Sequence, residues 1–184
     1  MKIKIFGVVL EIKYSFLVLI IISFLSSIFR NYMYYYFACY LFIIFHELSH
    51  IFVASIFKCK LKKVEISICG MSANIELTKS KLKNIIIFLA GPLSNAILFI
   101  IFINNQFISK INIILAIINL IPIFPLDGYR IFREIGIKTN IFEYLIYFIL
   151  LIIGLSLKNI SIIIFIIYVI LLKINNRRVD SFHC

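Results

Sequence analysis

The 184-residue sequence has no linker, no low-complexity tail, no internal repeat and no CxxC pair among its four cysteines. The first three absences leave no natural place to divide the chain, so a single domain is expected over 1–184. Cys59, Cys69 and Cys184 are expected to face a reducing cytosol, so no disulfide is expected, and Cys39 reads as a small core residue. Acidic residues are scarce, eight against 19 basic ones, and there are three histidines, so candidates for polar chemistry are few. Nor does "MKIKIFGVVLEIKYS" read as a cleavable signal. Basic residues stand on both sides of its short apolar stretch, and it offers no small-x-small cleavage site.

What is there instead is oil. The chain is 63% apolar with mean hydropathy +1.10, well above the roughly 45–50% of a water-soluble domain. The excess comes in runs at 14–29, 33–57, 85–103, 107–125, 141–156 and 159–174. Most approach the ~20 residues needed to cross the hydrocarbon core. The expected fold class is therefore an all-α polytopic membrane protein of about six transmembrane helices.

A formal charge of +11 raises the question of nucleic acid, but the distribution of that charge answers it. With both termini cytoplasmic, all of the 19 basic residues except Arg30, Lys110 and Lys158 fall on the inner side. That asymmetry follows the positive-inside rule and sets span count and orientation together. Contact with anionic lipid is a corollary, and no nucleic-acid partner is expected. The longest polar interval, 58–84, contains "VEISICGMSANIEL", which alternates around Gly70 as two short strands and a turn. The resulting hairpin between the second and third helices is either a capped connection or an edge on which an extended peptide docks.

The second apolar run carries the chemistry. In "FIIFHELSHIFVASIF", residues 42–57, His46 and His50 are one helical turn apart and share a face. They can grip one metal ion, and Glu47 beside them can take a proton from a water at that metal. Ionisable groups at mid-span cost about 2.5–3.5 kcal/mol each on the insertion scale and are rarely kept without a function. A structural polar cluster is the alternative. A catalytic zinc takes three protein ligands and a water. The remaining histidine, His183, reads as part of a frayed end. Of the carboxylates Glu11, Glu65, Glu76, Asp127, Glu134, Glu143 and Asp180, Asp127 stands apart. It closes "NLIPIFPLDGYR", where Pro122 and Pro125 break the helix and Gly128 permits close approach. On a continuous helix it would sit about 15 Å from the depth of His46, so reaching a shared ion requires a broken, dipping segment. Alternatively, Asp127 caps the amphipathic stretch that follows.

The motifs H-E-L-S-H at 46–50, A-G-P-L-S-N at 90–95 and N-x-x-P-x-x-P-L-D-G at 119–128 occur in an order and spacing that resemble the site-2 proteases, intramembrane zinc metalloproteases. Within them the chain looks most like the bacterial sporulation branch, that of stage IV sporulation protein FB. The resemblance implies one zinc per chain held by His46, His50 and Asp127, with Glu47 as general base. It implies that Asn119 holds substrate or a developing oxyanion, its alternative being a helix-bridging amide. Gly91, Pro92 and Asn95 become a packing and support motif, and the hairpin at 64–77 a receiving edge for a substrate strand. The implied substrate is a membrane-associated pro-protein such as pro-sigma-K, with membrane inhibitor proteins as further partners and the active-site opening on the cytoplasmic side. Neither a C-terminal CBS domain nor a PDZ insertion is expected, which sets the chain apart from well-known branches. A metal transporter would need ligands spread along a path, and a non-catalytic scaffold would not need Glu47 beside paired histidines.

Overall fold

The computed structural model describes residues 2–5, 8–16, 18, 20, 27–67, 70–156, 167, 169–171 and 173. Its elements are β1 (Lys2–Ile5), β2 (Val8–Ile12), α1 (Ser27–Ile56), β3 (Leu61–Ser67), β4 (Gly70–Ile75), α2 (Lys81–Ile101), α3 (Gln106–Leu120), α4 (Asp127–Ile135) and α5 (Asn140–Ser156). They fall into two compact units, Met1–Ile118 and Asn119–Cys184.

Four of the six expected apolar runs are helices. Tyr35–Ile56 and Lys81–Ile101 are long and apolar enough to cross a membrane, while Gln106–Leu120 and Asn140–Ser156 are shorter apolar helices. Expected spans 14–29 and 159–174 lie largely outside the described residues. The run at 107–125 ends as a helix at Leu120 rather than Ile123–Pro125, because Pro122 has no N–H to continue the ladder.

The first unit is built inside out relative to a protein in water. Along α1 the residues Leu41, Phe45, Leu48, Phe52 and Ile56 are exposed at helical spacing, while His46 and His50 are buried. On α2, Leu82, Ile86, Leu93 and Ile97 face outward, and Asn84, Gly91, Pro92 and Asn95 face inward. Apolar outside and polar inside is the arrangement that a hydrocarbon solvent selects. Asn84 fastens the loop before α2: its Oδ1 accepts from the Thr78 N–H (3.0 Å) and hydroxyl (2.9 Å), and its Nδ2 donates to Thr78 O at 3.0 Å.

The expected hairpin is present as β3 and β4, antiparallel, but it belongs to a larger sheet ordered β1-β2-β3-β4. Residues 2–5 and 8–12, expected only as part of a basic N-terminal segment, form the other two strands, and β2 runs parallel to β3. In that register Glu11 lies opposite Glu65, a like-charge pair that would weaken the sheet by itself. Lys63 bridges both carboxylates, 2.5 Å from Glu11, and Lys13 adds a second cation 3.1 Å from Glu65. With β2 on one side of β3, the hairpin's open edge among the described residues is β4. The sheet is pressed onto α1. Tyr40 donates its hydroxyl to Ser67 O at 3.1 Å. At Gly70 (φ 131°) a Cβ would stand 2.8 Å from Ile43 Cγ2.

The second unit centres on Ile123, Tyr147 and Val169. Glu143 on α5 is fully buried there, accepting from Thr139 Oγ1 (2.8 Å) and Lys173 Nζ (2.6 Å).

Candidate metal centre

The helical turn expected to bring His46 and His50 together does so. Both imidazoles are about 95% buried, with centroids 4.8 Å apart, planes at 83°, and their Nε2 atoms 3.2 Å from each other. His50 Nδ1 lies 2.7 Å from the carbonyl of Ile87. A carbonyl only accepts, so Nδ1 carries the proton and the His50 Nε2 lone pair points toward His46. Anchoring the far nitrogen in this way orients an imidazole for metal binding. Two imidazole nitrogens each about 2.0–2.1 Å from one tetrahedral zinc lie about 3.3 Å apart, so the observed pair fits such an ion without rearrangement.

The room for this pair comes from α2. A Cβ on Gly91 would lie 2.3 Å from His50 Nε2 and 2.6 Å from both Nε2 and Cε1 of His46. Any side chain at this position would occupy the space between the two donor atoms. Gly91 was expected to admit close helix packing; what it admits is the imidazole pair itself. One turn further, Asn95 is completely buried, its Oδ1 3.4 Å from Ser94 Oγ and its Nδ2 without an acceptor among the described residues. A buried amide donor left open costs about 1–3 kcal/mol, which marks the position as serving more than packing. Pro92, between them, is buried inside α2. Glu47 sits on α1 beside the pair and is half-buried.

In the second unit, Asn119 is half-buried on the last turn of α3. Beyond it the chain turns through Pro122 and a cis Phe124–Pro125 bond, held by Ile123 N–H to Ile121 O (2.8 Å) and Leu126 N–H to Ile123 O (2.9 Å). The segment is therefore broken as expected. Gly128 then permits a tight return: a Cβ there would lie 2.2 Å from Leu120 O and 2.5 Å from Ile121 O. Asp127 is the first residue of α4 and is 5% exposed. The capping alternative does not hold, since the N-cap is Leu126 and makes no side-chain bond. A carboxylate in the first turn does suit the helix dipole. Arg130, 3.8 Å away and half-exposed, is too distant and too wet to neutralise Asp127 strongly.

Two buried polar residues escaped the sequence reading. Glu143, one of the carboxylates from which Asp127 was set apart, is fully buried against Lys173. Asn112 on α3 is equally buried, with Nδ2 donating to Ile108 O at 2.9 Å. The signal that singled out the histidines, a polar residue inside an apolar run, was present for both.

Comparison with known proteins agrees with this geometry. Residues 14–182 match the family model described as Peptidase M50B-like. A zinc metalloprotease of Methanocaldococcus jannaschii is 28% identical over 149 residues, covering 72% of this chain and 44% of that protein, so the chain spans less than half of that relative's length. The solved structure of a site-2 protease from Methanocaldococcus jannaschii superposes with TM-score 0.62 at 26% identity, covering 92% of this chain and 91% of that one. With the family model spanning nearly the whole chain, from residue 14 to residue 182, the chain belongs to the Peptidase M50B-like family.

Proposed function

We propose that this protein is an intramembrane zinc endopeptidase that cuts a membrane-associated protein near the bilayer surface. The observation that carries the reading is the pair of facing Nε2 atoms, 3.2 Å apart against Gly91, in a chain of this family. His46 and His50 hold the zinc, and the Asp127 carboxylate is the third ligand. In support, all three side chains are buried and each offers one ligand atom, and two imidazoles with one carboxylate are a known catalytic zinc set. The chemistry that a zinc ion held by these residues would supply is polarisation of the peptide carbonyl and a lowered pKa for the attacking water. Glu47 takes the proton from the attacking water and delivers it to the leaving amine nitrogen. The open amide of Asn95 and that of Asn119 are the donors for holding the substrate carbonyl and the charge that develops on it.

A substrate helix must unwind before hydrolysis, since its own hydrogen bonds shield its peptide groups. The β4 edge (Gly70–Ile75) takes the unwound strand, because β3 already has a neighbour on its other side. Six spans, both termini on the cytoplasmic side and water entry from that side are the topology consistent with the basic residues. The motif resemblance supports a pro-sequence of the sigma-K kind as substrate and membrane proteins as inhibitors.

Co-expression with a pro-sigma-K substrate tests this. Glu47→Gln should reduce cleavage at least about 100-fold while the purified protein keeps its zinc, and His46→Ala should lose both. Undiminished cleavage by Glu47→Gln would refute the assignment of the base.

A further inference from the structure

At the end of α4 the chain reverses through Gly136 (φ 92°), with Gly136 N–H bonded to Arg133 O at 3.1 Å and Ile137 N–H to Phe132 O at 2.9 Å. This turn and the start of α5 line an open surface cavity of about 250 Å³, bordered by Tyr129, Arg133, Gly136, Lys138, Thr139 and Asn140 among others. The charged side chains on its wall, Arg133 and Lys138, are both cationic, and neither forms an ion pair among the described residues. The buried carboxylate bonded to a lining residue, Glu143, does not cancel them. Glu143 accepts the Thr139 hydroxyl at 2.8 Å, and its charge is met by Lys173 at 2.6 Å. Lys173 also donates to Asn140 Oδ1 at 3.4 Å, so a second lining residue is tied to the same ammonium.

One residue beyond the cavity begins an outward apolar stripe on α5: Ile141, Leu145, Phe148 and Ile152, spaced four, three and four residues apart. A small inorganic anion would use the cationic rim and leave this stripe idle. An amphiphile uses both, with its charged head at the turn and its chains along the helix. The volume is below the about 300–1,000 Å³ of pockets for drug-sized ligands and suits a compact head.

We propose that this cavity is a binding site for the phosphate-bearing head of an anionic phospholipid, with Arg133 and Lys138 as its ligands and the α5 stripe as the bed of its acyl chains. The site shares no residue with the proposed zinc ligands and stands whether or not the proposed cleavage reaction does, since its only premise about the family is that the chain lies in a membrane. Each cation near an anionic lipid surface contributes on the order of a tenfold preference or somewhat less.

The full chain, stripped of lipid in detergent, is examined by native mass spectrometry with phosphatidylglycerol, phosphatidylcholine or inorganic phosphate. The wild-type chain should retain one phosphatidylglycerol, release phosphatidylcholine, and hold its lipid against inorganic phosphate. Arg133→Ala with Lys138→Ala should weaken phosphatidylglycerol retention about tenfold or more. Lys60→Ala with Lys81→Ala, which removes the same charge from the exposed ends of other elements, should leave it unchanged. Equal retention by the wild type and the Arg133/Lys138 variant overturns the proposal. So does equal weakening by both variants, which would mean diffuse surface charge, or displacement by inorganic phosphate at matching concentration, which would mean a free-anion site.

Discussion

Two buried polar clusters in this molecule make opposite use of the same expensive material. Around Glu143, a carboxylate faces an ammonium, a hydroxyl fills one more lone pair, and the charges close on themselves. Around His46 and His50, two like ligand atoms face each other across 3.2 Å, and the neighbouring helix withdraws its side chain to make room. The first cluster is built to be complete and the second to be completed. Burial alone does not separate structure from function in a membrane-embedded chain. What separates them is whether the neighbouring element fills the space beside the polar atoms, as Lys173 does at Glu143, or leaves it open, as Gly91 does at the imidazoles.

The sharpest way to break this comparison is to fill the space the second cluster keeps open. Gly91→Ala places a methyl within 2.3–2.6 Å of both Nε2 atoms, and zinc affinity should fall by about 100-fold or more, read as zinc content of the purified protein. If the variant folds and binds zinc normally, the glycine is mere packing. The converse perturbation acts on the closed cluster. Glu143→Ala leaves Lys173 buried and unpaired, a loss of about 3–5 kcal/mol in detergent unfolding, and Glu143→Leu with Lys173→Met should recover most of it. Zinc content should not change in either variant. A zinc loss that follows Glu143 would erase the distinction between the clusters.

The smallest expected effect lies in the sheet, where charges are paired in contact with water. Hydrogen bonds from Lys63 hold the carboxyls of Glu11 and Glu65 below their ordinary value near 4.5, and the same contacts push the Lys63 ammonium above its usual 10.5. A lowered carboxyl contributes in full above its ordinary value and is lost as pH falls through its folded value. A raised ammonium contributes below its ordinary value and is lost as pH rises past its folded one. Amide protection factors in β2 and β3, that is, exchange corrected for its intrinsic pH dependence, should therefore be flat from about pH 5 to 9, fall modestly in acid below about 4.5, and fall again above about 10.5. Glu65→Gln should flatten much of the acid limb. An acid limb that persists unchanged in that variant would show that the like-charged register of Glu11 and Glu65 is relieved by something other than Lys63.

Much of the candidate metal centre was legible in the letters, and the reasons are local. Residues four apart on a helix share a face whatever surrounds them, so His46 and His50 needed only the helix. Pro122 and Pro125 break a helix by lacking an N–H and by their rings, so the interruption before Asp127 needed no partner to be foreseen. Glu143 was legible by the same logic, an ionisable residue within the apolar run 141–156, but its partner Lys173 lies 30 residues away and nothing local names it.

The rest required the fold. The sequence by itself determined that this chain is too apolar for water, that two imidazoles stand one turn apart with a carboxylate beside them, and that the helix stops before Asp127. Those are consequences of composition and of a period that each segment carries internally. Only the tertiary structure decided that residues 8–12 lie parallel to 61–67, because a strand's pairing edge accepts many partners and nothing within five residues names the right one. Tertiary structure alone also decided that Gly91 stands against both Nε2 atoms, that Ile87 sets the His50 tautomer, and that Lys173 answers Glu143 from 30 residues away. Each of these is a distance between atoms far apart in the chain, and such a distance exists only after packing has chosen which faces meet.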